Sequence, residues 1–113
     1  GSTIQLTAAD GTKVPAYVAT PAAPAKAAVL VIQEIFGVNA HIREVADAYA
    51  SEGFLAIAPA MFQRVQAQVE LGYAEADMGA GMALKTAVEA LPAPGALQDI
   101  QAAIDIGQLF LTS

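Results

Sequence analysis

The sequence predicts an α/β fold, one domain in which helices pack on a partly parallel sheet. Three observations carry this. An alternating pair of runs flanks Asp10-Gly11; an unbroken apolar run, AVLVIQ, fills 28–33; and a helical stripe followed by a second apolar run, FLAIA, fills 38–58. Strand, helix and strand within about thirty residues make a βαβ unit, whose crossover is right-handed by strong default.

The first element is a hairpin. In TIQLTAADGTKVPAYVA (3–19), Ile4 and Leu6 share one face of the first arm, and Val14, Ala16 and Val18 share a face of the second. Asp-Gly between alternating runs is the strongest short-range hairpin signal. Pro15 has no N–H to give a ladder, so the second arm is expected at a sheet edge or with that position turned outward. TPAAPAKA (20–27) is an extended, exposed connector. Gly1-Ser2 reads as a tag remnant and is set aside, leaving a single domain within 1–113.

AVLVIQ does not alternate, which is the pattern of a strand buried on both faces of a parallel sheet. Past the Gly37 turn, Asn39 can cap a helix with an apolar stripe at Ile42, Val45, Ala46, Tyr49 and Ala50. Gly53 falls where a left-handed helix end is expected. Residues 54–58 form the second buried strand, stopped by Pro59. The glycines at 72, 79 and 81 predict a loop over 60–81 with a short helix near 66–78. A helix over 82–91 closes at Leu91-Pro92. Another, over 96–106, turns Leu97, Ile100 and Ile104 inward and stops at Gly107, and the tail QLFLTS is strand-like.

Composition excludes several functions. The net charge is −6 with five Lys and Arg, which argues against nucleic acid and anionic membranes as partners. No apolar run reaches the roughly 20 residues of a spanning helix, and no charged-then-apolar leader opens the chain. There is no cysteine, hence no disulfide and no thiolate chemistry, which fits a cytoplasmic protein. Although 56% of the residues are hydrophobic, 27 of the 113 are alanine, so the four aliphatic clusters at 29–36, 54–62, 82–91 and 97–111 must supply the core.

Most chemical motifs fail on their own terms. GAGMALKT (79–86) has glycines, lysine and threonine, but its lysine does not directly follow a glycine, and no strand precedes it as a phosphate cradle requires. His41, Glu44 and Asp47 share a helix face, yet one histidine without cysteine makes a poor transition-metal site, so neither metal nor cofactor is expected. His41 and Ser51 lie about 15 Å apart along one helix and cannot hydrogen-bond, and the G-x-S-x-G elbow is absent.

Glu34 is the residue left over. It stands where an apolar strand ends, and ligands of open α/β sheets bind at the carboxyl ends of strands. A pocket there would partly bury Glu34 and raise its basicity. The alternative is structural, a carboxylate held by nearby backbone N–H groups.

The run QEIFGVNAHIREVADAYASEGFLAIAPAMFQR (33–64) resembles the N-terminal half of the dienelactone hydrolase (carboxymethylenebutenolidase) family, an α/β-hydrolase group. The similarity continues through Tyr73 and DIQAAID (99–105). The resemblance implies a truncated α/β-hydrolase fold, with Glu34 as the acid that helps activate a catalytic thiol. The backbone N–H of Ile35 matches an oxyanion-hole donor, and Phe36 and Tyr73 match pocket-lining positions. Family members carry their cysteine, aspartate and histidine further on, past the end of this sequence. Ala60 replaces a usual acid, and Val69 stands about where a substrate-carboxylate arginine is expected, leaving Arg64 as the nearby cation.

Two functional readings follow. One is a non-catalytic remnant or binding module for a small ester, lactone or apolar ligand. The other is an esterase or lactonase completed by a second chain, for example by a partner's Ser113. The strand at 29–33 would lack its neighbour in such a scaffold, and soluble proteins avoid an open apolar edge. Either the tail 108–113 fills it as a replacement strand, or chains pair across it; a homo-oligomer, a dimer or larger, is therefore expected.

Overall fold

The computed structural model of the chain describes residues 1–112; Ser113, the residue considered as a partner-supplied nucleophile, lies outside them. Four strands form one sheet: β1 (Ser2–Thr7), β2 (Lys13–Ala19), β3 (Ala28–Leu30) and β4 (Leu55–Pro59), in the order β1-β2-β4-β3. β1 and β2 form the antiparallel hairpin about Asp10-Gly11, with Gly11 at φ +87°. β2 runs antiparallel to β4, and β3 runs parallel to β4. Ser2, set aside above as tag-derived, opens β1 opposite Val18.

Pro15 is accommodated without an edge. β2 is an interior strand, but its pairing with β4 ends at Ala16↔Pro59. The Pro15 carbonyl accepts from Ala60 N–H at 2.9 Å. In an extended strand N–H and C=O of one residue point the same way, so the missing donor falls where the ladder has already run out.

Helix α1 (Ala40–Ser51) packs on one face of the sheet, over β2 and β4. Asn39 caps it, accepting from Ile42 N–H at 3.1 Å, and Gly53 follows at φ +98°. Val31, Ile42, Ala46, Ala56 and Ala58 form the core on this side, joined by half-buried Val29 and Val45. Helix α3 (Leu97–Thr112) covers the other face, against β1, β3 and β4. There Leu6, Val14, Ala16, Val18, Leu55, Ile57 and Ala103 pack together. The fully buried Ile57 sits at the centre of the sheet.

Several expectations are corrected. The loop with a short helix near 66–78 and the separate helix at 82–91 are replaced by one helix, α2 (Glu75–Glu89), which runs through Gly79 and Gly81. Its low burial explains why propensity misplaced it: Gly81 is its one buried residue, and the helix stands largely clear of the sheet. Helix α3 does not stop at Gly107, and 108–112 are helical rather than a replacement strand. Gly107 lies where the helix crosses the sheet; a Cβ there would sit 3.2 Å from Ala28 Cβ and 3.3 Å from Ile57 Cδ1. Close approach, not termination, is its role.

The inward face of α3 is also different. Asp99, Ala103 and Gly107 are buried, while Leu97 and Ile104 are exposed. Small residues let the helix lie close to the sheet, and Asp99 is drawn in by Arg64. Finally, β3 is shorter than the apolar run and is an edge strand, half-buried rather than enclosed on both faces.

Candidate functional site

The segment after β3 is held from two sides. Gln33 reaches across to the turn after β4: its Oε1 accepts from Met61 N–H at 2.8 Å, and its Nε2 donates to the Glu34 carbonyl at 3.1 Å. On the other side, residues 69–73 lie along the turn as a strap. Gly37 bridges to Glu70, and Leu71 N–H donates to the Phe36 carbonyl at 2.8 Å. Arg43 of α1 pairs with Glu70 at 2.6 Å and donates to the Val38 carbonyl at 2.9 Å.

Aromatic and amide groups complete the strap. The rings of Phe36 and Tyr73 meet edge to face, with centroids 4.6 Å apart. Asn39 Nδ2 donates to the Tyr73 hydroxyl at 3.1 Å while its Oδ1 caps α1. Asn39 is therefore buried and used at both ends. Asn39→Ala is expected to lower stability by about 1–2 kcal/mol, the worth of a lost N-cap. Asn39→Asp keeps the cap and removes only the donor to Tyr73. Urea melts of the two variants separate the contributions, and Asn39→Asp should fall between wild type and Asn39→Ala.

Between this segment and α2 lies a crevice of about 350 Å³. Ile32, Ile35, Met61, Phe62 and Val88 give it apolar walls; Glu34 and the Lys85–Glu89 pair (3.2 Å) supply the charge. Its width is set by one contact. Gly81 lies directly against the Ile35 carbonyl, and a Cβ there would collide with that oxygen. Only glycine lets α2 close on the segment.

The structure brings Glu34 and Ile35 together at this crevice. Glu34 is exposed at its rim rather than partly buried. Among the described residues no group hydrogen-bonds to its carboxylate, so the structural role of an anchored strand-end acid is not the one observed. Phe36 and Tyr73 lie on the far side of the turn, in the strap, and do not line the crevice.

Arg64 is elsewhere and already occupied. Its Nη1 pairs with Asp10 Oδ2 at 2.6 Å and its Nη2 with Asp99 Oδ1 at 2.9 Å, while Nε donates to both Asp99 oxygens at 3.2 Å. The Arg64 hydrogen bond, helped by the Thr12 N–H, holds the Asp10 carboxyl well below the usual carboxylate range. The two carboxylates in turn raise Arg64 further. The guanidinium borders a different cavity of about 540 Å³, beside Thr12, Gln63 and Pro92. It clamps the hairpin tip to the start of α3.

Lys85, Val88 and Glu89 were not singled out from sequence. The only sign of them was Gly81, which marks where α2 can press on a neighbour.

Known proteins align with this arrangement. The sequence model of the dienelactone hydrolase family matches residues 14–108. A Synechocystis protein named as a carboxymethylenebutenolidase is 43% identical over 93 residues, covering 81% of this chain and 37% of its own length. One from Azospirillum brasilense is 44% identical over 69 residues, 60% of this chain and 30% of its length. The crystal structure of a protein named as a dienelactone hydrolase, from Klebsiella pneumoniae subsp. pneumoniae, superposes with a TM-score of 0.66 at 29% identity, covering 96% of this chain and 45% of that one. The chain thus spans less than half the length of each of these relatives.

Proposed function

Because the chain belongs to the dienelactone hydrolase family, we propose that its 113 residues act as a binding module for a small, largely apolar ester or lactone, without turnover of their own. The observation that supports this is the crevice itself, apolar on its walls with Glu34 and Ile35 at the rim. No cysteine occurs in the sequence, and Ser51 sits on α1 with its hydroxyl given to the Ala48 carbonyl at 2.7 Å. No helix among the described residues is long and apolar enough to cross a membrane; we read the chain as cytoplasmic on its lack of cysteine.

A second reading is supported by the unengaged Glu34 carboxylate: an esterase or lactonase whose nucleophile comes from another polypeptide. One experiment separates the two. The purified chain is titrated with an unsaturated lactone and with p-nitrophenyl acetate, following both melting temperature and hydrolysis. Binding raises the melting temperature with ligand concentration, worth about 2.7 kcal/mol at a hundred times Kd, and Val88→Asp abolishes the rise. Hydrolysis above the buffer rate that disappears in Glu34→Gln selects the enzymatic reading. No shift with any ligand of this class rejects the binding module.

A further inference from the structure

A second open cavity, of about 420 Å³, lies on the α1 side of the sheet. Sequence makes room for it: Pro15 of β2, Ala58 of β4 and Ala60 just past β4 are too short to fill the space above them. Arg43 of α1 and residues 68–70, at the start of the strap, form its sides. No wall comes from β3, α2 or α3, and the strand order β1-β2-β4-β3 sets β4 between this cavity and the β3 edge. It shares no lining residue with the crevice that holds Glu34.

Its charged wall residues, Arg43 and Glu70, pair with each other at 2.6 Å, and the Tyr17 hydroxyl beside them donates to Asp47 at 2.7 Å. Two side-chain amides are left without partners. Gln63 Oε1 is shut off from solvent and accepts no hydrogen bond, and Gln63 Nε2 has no partner among the described residues. A buried carbonyl oxygen nearly always has a donor, so this one carries the cost of an unmade bond. A half-turn of the amide about its terminal bond presents the oxygen to the cavity and breaks no protein hydrogen bond. Gln68 stands at the same cavity with φ +58°, a left-handed backbone costly for any residue with a Cβ. Strain of this kind collects where ligands are clamped.

We propose that this cavity is a second binding site, for a small neutral carboxamide with an apolar body. The ligand's N–H donates to Gln63 Oε1, turned toward the cavity, and its carbonyl accepts from the Gln68 amide. An amide carries donor and acceptor side by side, which is what two unpaired glutamines can satisfy. A carboxylate offers no donor to the Gln63 oxygen, and it meets an Arg43 already neutralised by Glu70. The apolar body rests on Pro15, Ala58 and Ala60. Binding recovers the bond that Gln63 lacks in the free chain, so the amide N–H is the group that sets affinity.

The test is a titration of the isotopically labelled full chain with benzamide, acetophenone and benzoate, followed by nitrogen–proton correlation spectra. Acetophenone keeps the ring and carbonyl of benzamide without its N–H; benzoate replaces the N–H with charge. Benzamide should shift the backbone signals of Ala58, Ala60, Gln68 and Val69, and should bind about tenfold tighter than either analogue. In Gln63→Met its advantage over acetophenone should vanish, while the urea midpoint of the variant is no lower than that of wild type, because the oxygen removed had no partner. Gln68→Gly should raise that midpoint by relieving the backbone and still weaken benzamide, a combination that a purely structural glutamine would not give. Val88→Asp, in the crevice, should leave benzamide binding unchanged, so either site can fail while the other stands. No binding of benzamide, equal affinity for the three compounds, or shifts confined to Ile35, Met61 and Val88 would each overturn the proposal. So would a preference for benzamide that survives in Gln63→Met.

Discussion

Replacing Arg64 with methionine is expected to cost about 3–5 kcal/mol, the range for removing one partner of a buried ion pair. Asp99 is fully buried, and Arg64 supplies its only ion-pair partner among the described residues. Without the guanidinium, Asp99 must keep an unpaired charge or take up a proton. Urea denaturation at neutral pH measures the loss. The double variant Arg64→Met with Asp99→Leu should regain most of it, because an apolar pair of similar bulk can replace a buried salt bridge with little penalty. If the double variant is no more stable than the single one, the clamp's value lies in packing rather than charge.

The same cluster sets an acid limit. The folded-state pKa of Asp10 is depressed, first by Arg64. A depressed carboxyl contributes stability above its unfolded pKa of about 3.9 and loses it as pH falls toward the folded value. The denaturation midpoint should therefore fall as the pH is lowered below about 4. In Arg64→Met the Asp10 share of that slope should shrink, leaving the smaller part that the Thr12 hydrogen bonds supply.

Gly37→Ala is the second large effect. Gly37 has φ +81°, and a Cβ there would overlap the Val69 carbonyl. Left-handed backbone costs a residue with Cβ roughly 1–2 kcal/mol. The collision is with main chain, which cannot swing aside, so the strap must shift; forced shifts of this kind cost roughly 1–3 kcal/mol. Gly11→Ala is the control, since Gly11 has φ +87° with nothing within 4 Å. Both variants carry the strain, but only Gly37→Ala carries the collision. Hydrogen exchange at Leu71, whose N–H bonds the Phe36 carbonyl, should quicken only in Gly37→Ala. Equal loss of stability in the two variants would mean that the strap yields freely.

Most of the architecture was legible because its signals are local. Asp10-Gly11 between alternating arms, Asn39 before a helical stripe, and Gly53 after it each specify geometry within a few residues. The α/β class followed from these, and the hydrolase scaffold from the resemblance carried by the QEIFG run. What was misread depends on partners distant in sequence. The inward face of α3 is chosen by Arg64 and by how closely Ala103 and Gly107 can approach the sheet. Hydropathy spacing instead favoured Leu97 and Ile104. Gly79 and Gly81 weakened the helical signal of α2, although one of them is what seats that helix against Ile35.

The candidate site was legible in part for the same reason. Glu34 and Ile35 follow a strand and could be placed by topology alone. Arg64 was drawn toward the site by its sign and sequence proximity. Asp10 and Asp99, each more than thirty residues away, claim it instead. Phe36 and Tyr73 do come together, but on the far side of the turn.

One side of the crevice is built on the segments that leave β3 and β4, whereas the other is a helix that rests on a single glycine. Residues 85, 88 and 89 can therefore vary in size and charge at little penalty to folding, because none belongs to either half of the core. Ligand preference and foldability are encoded in separate parts of the chain. A lineage could retune the one by drift along α2 while selection on the other holds the scaffold still.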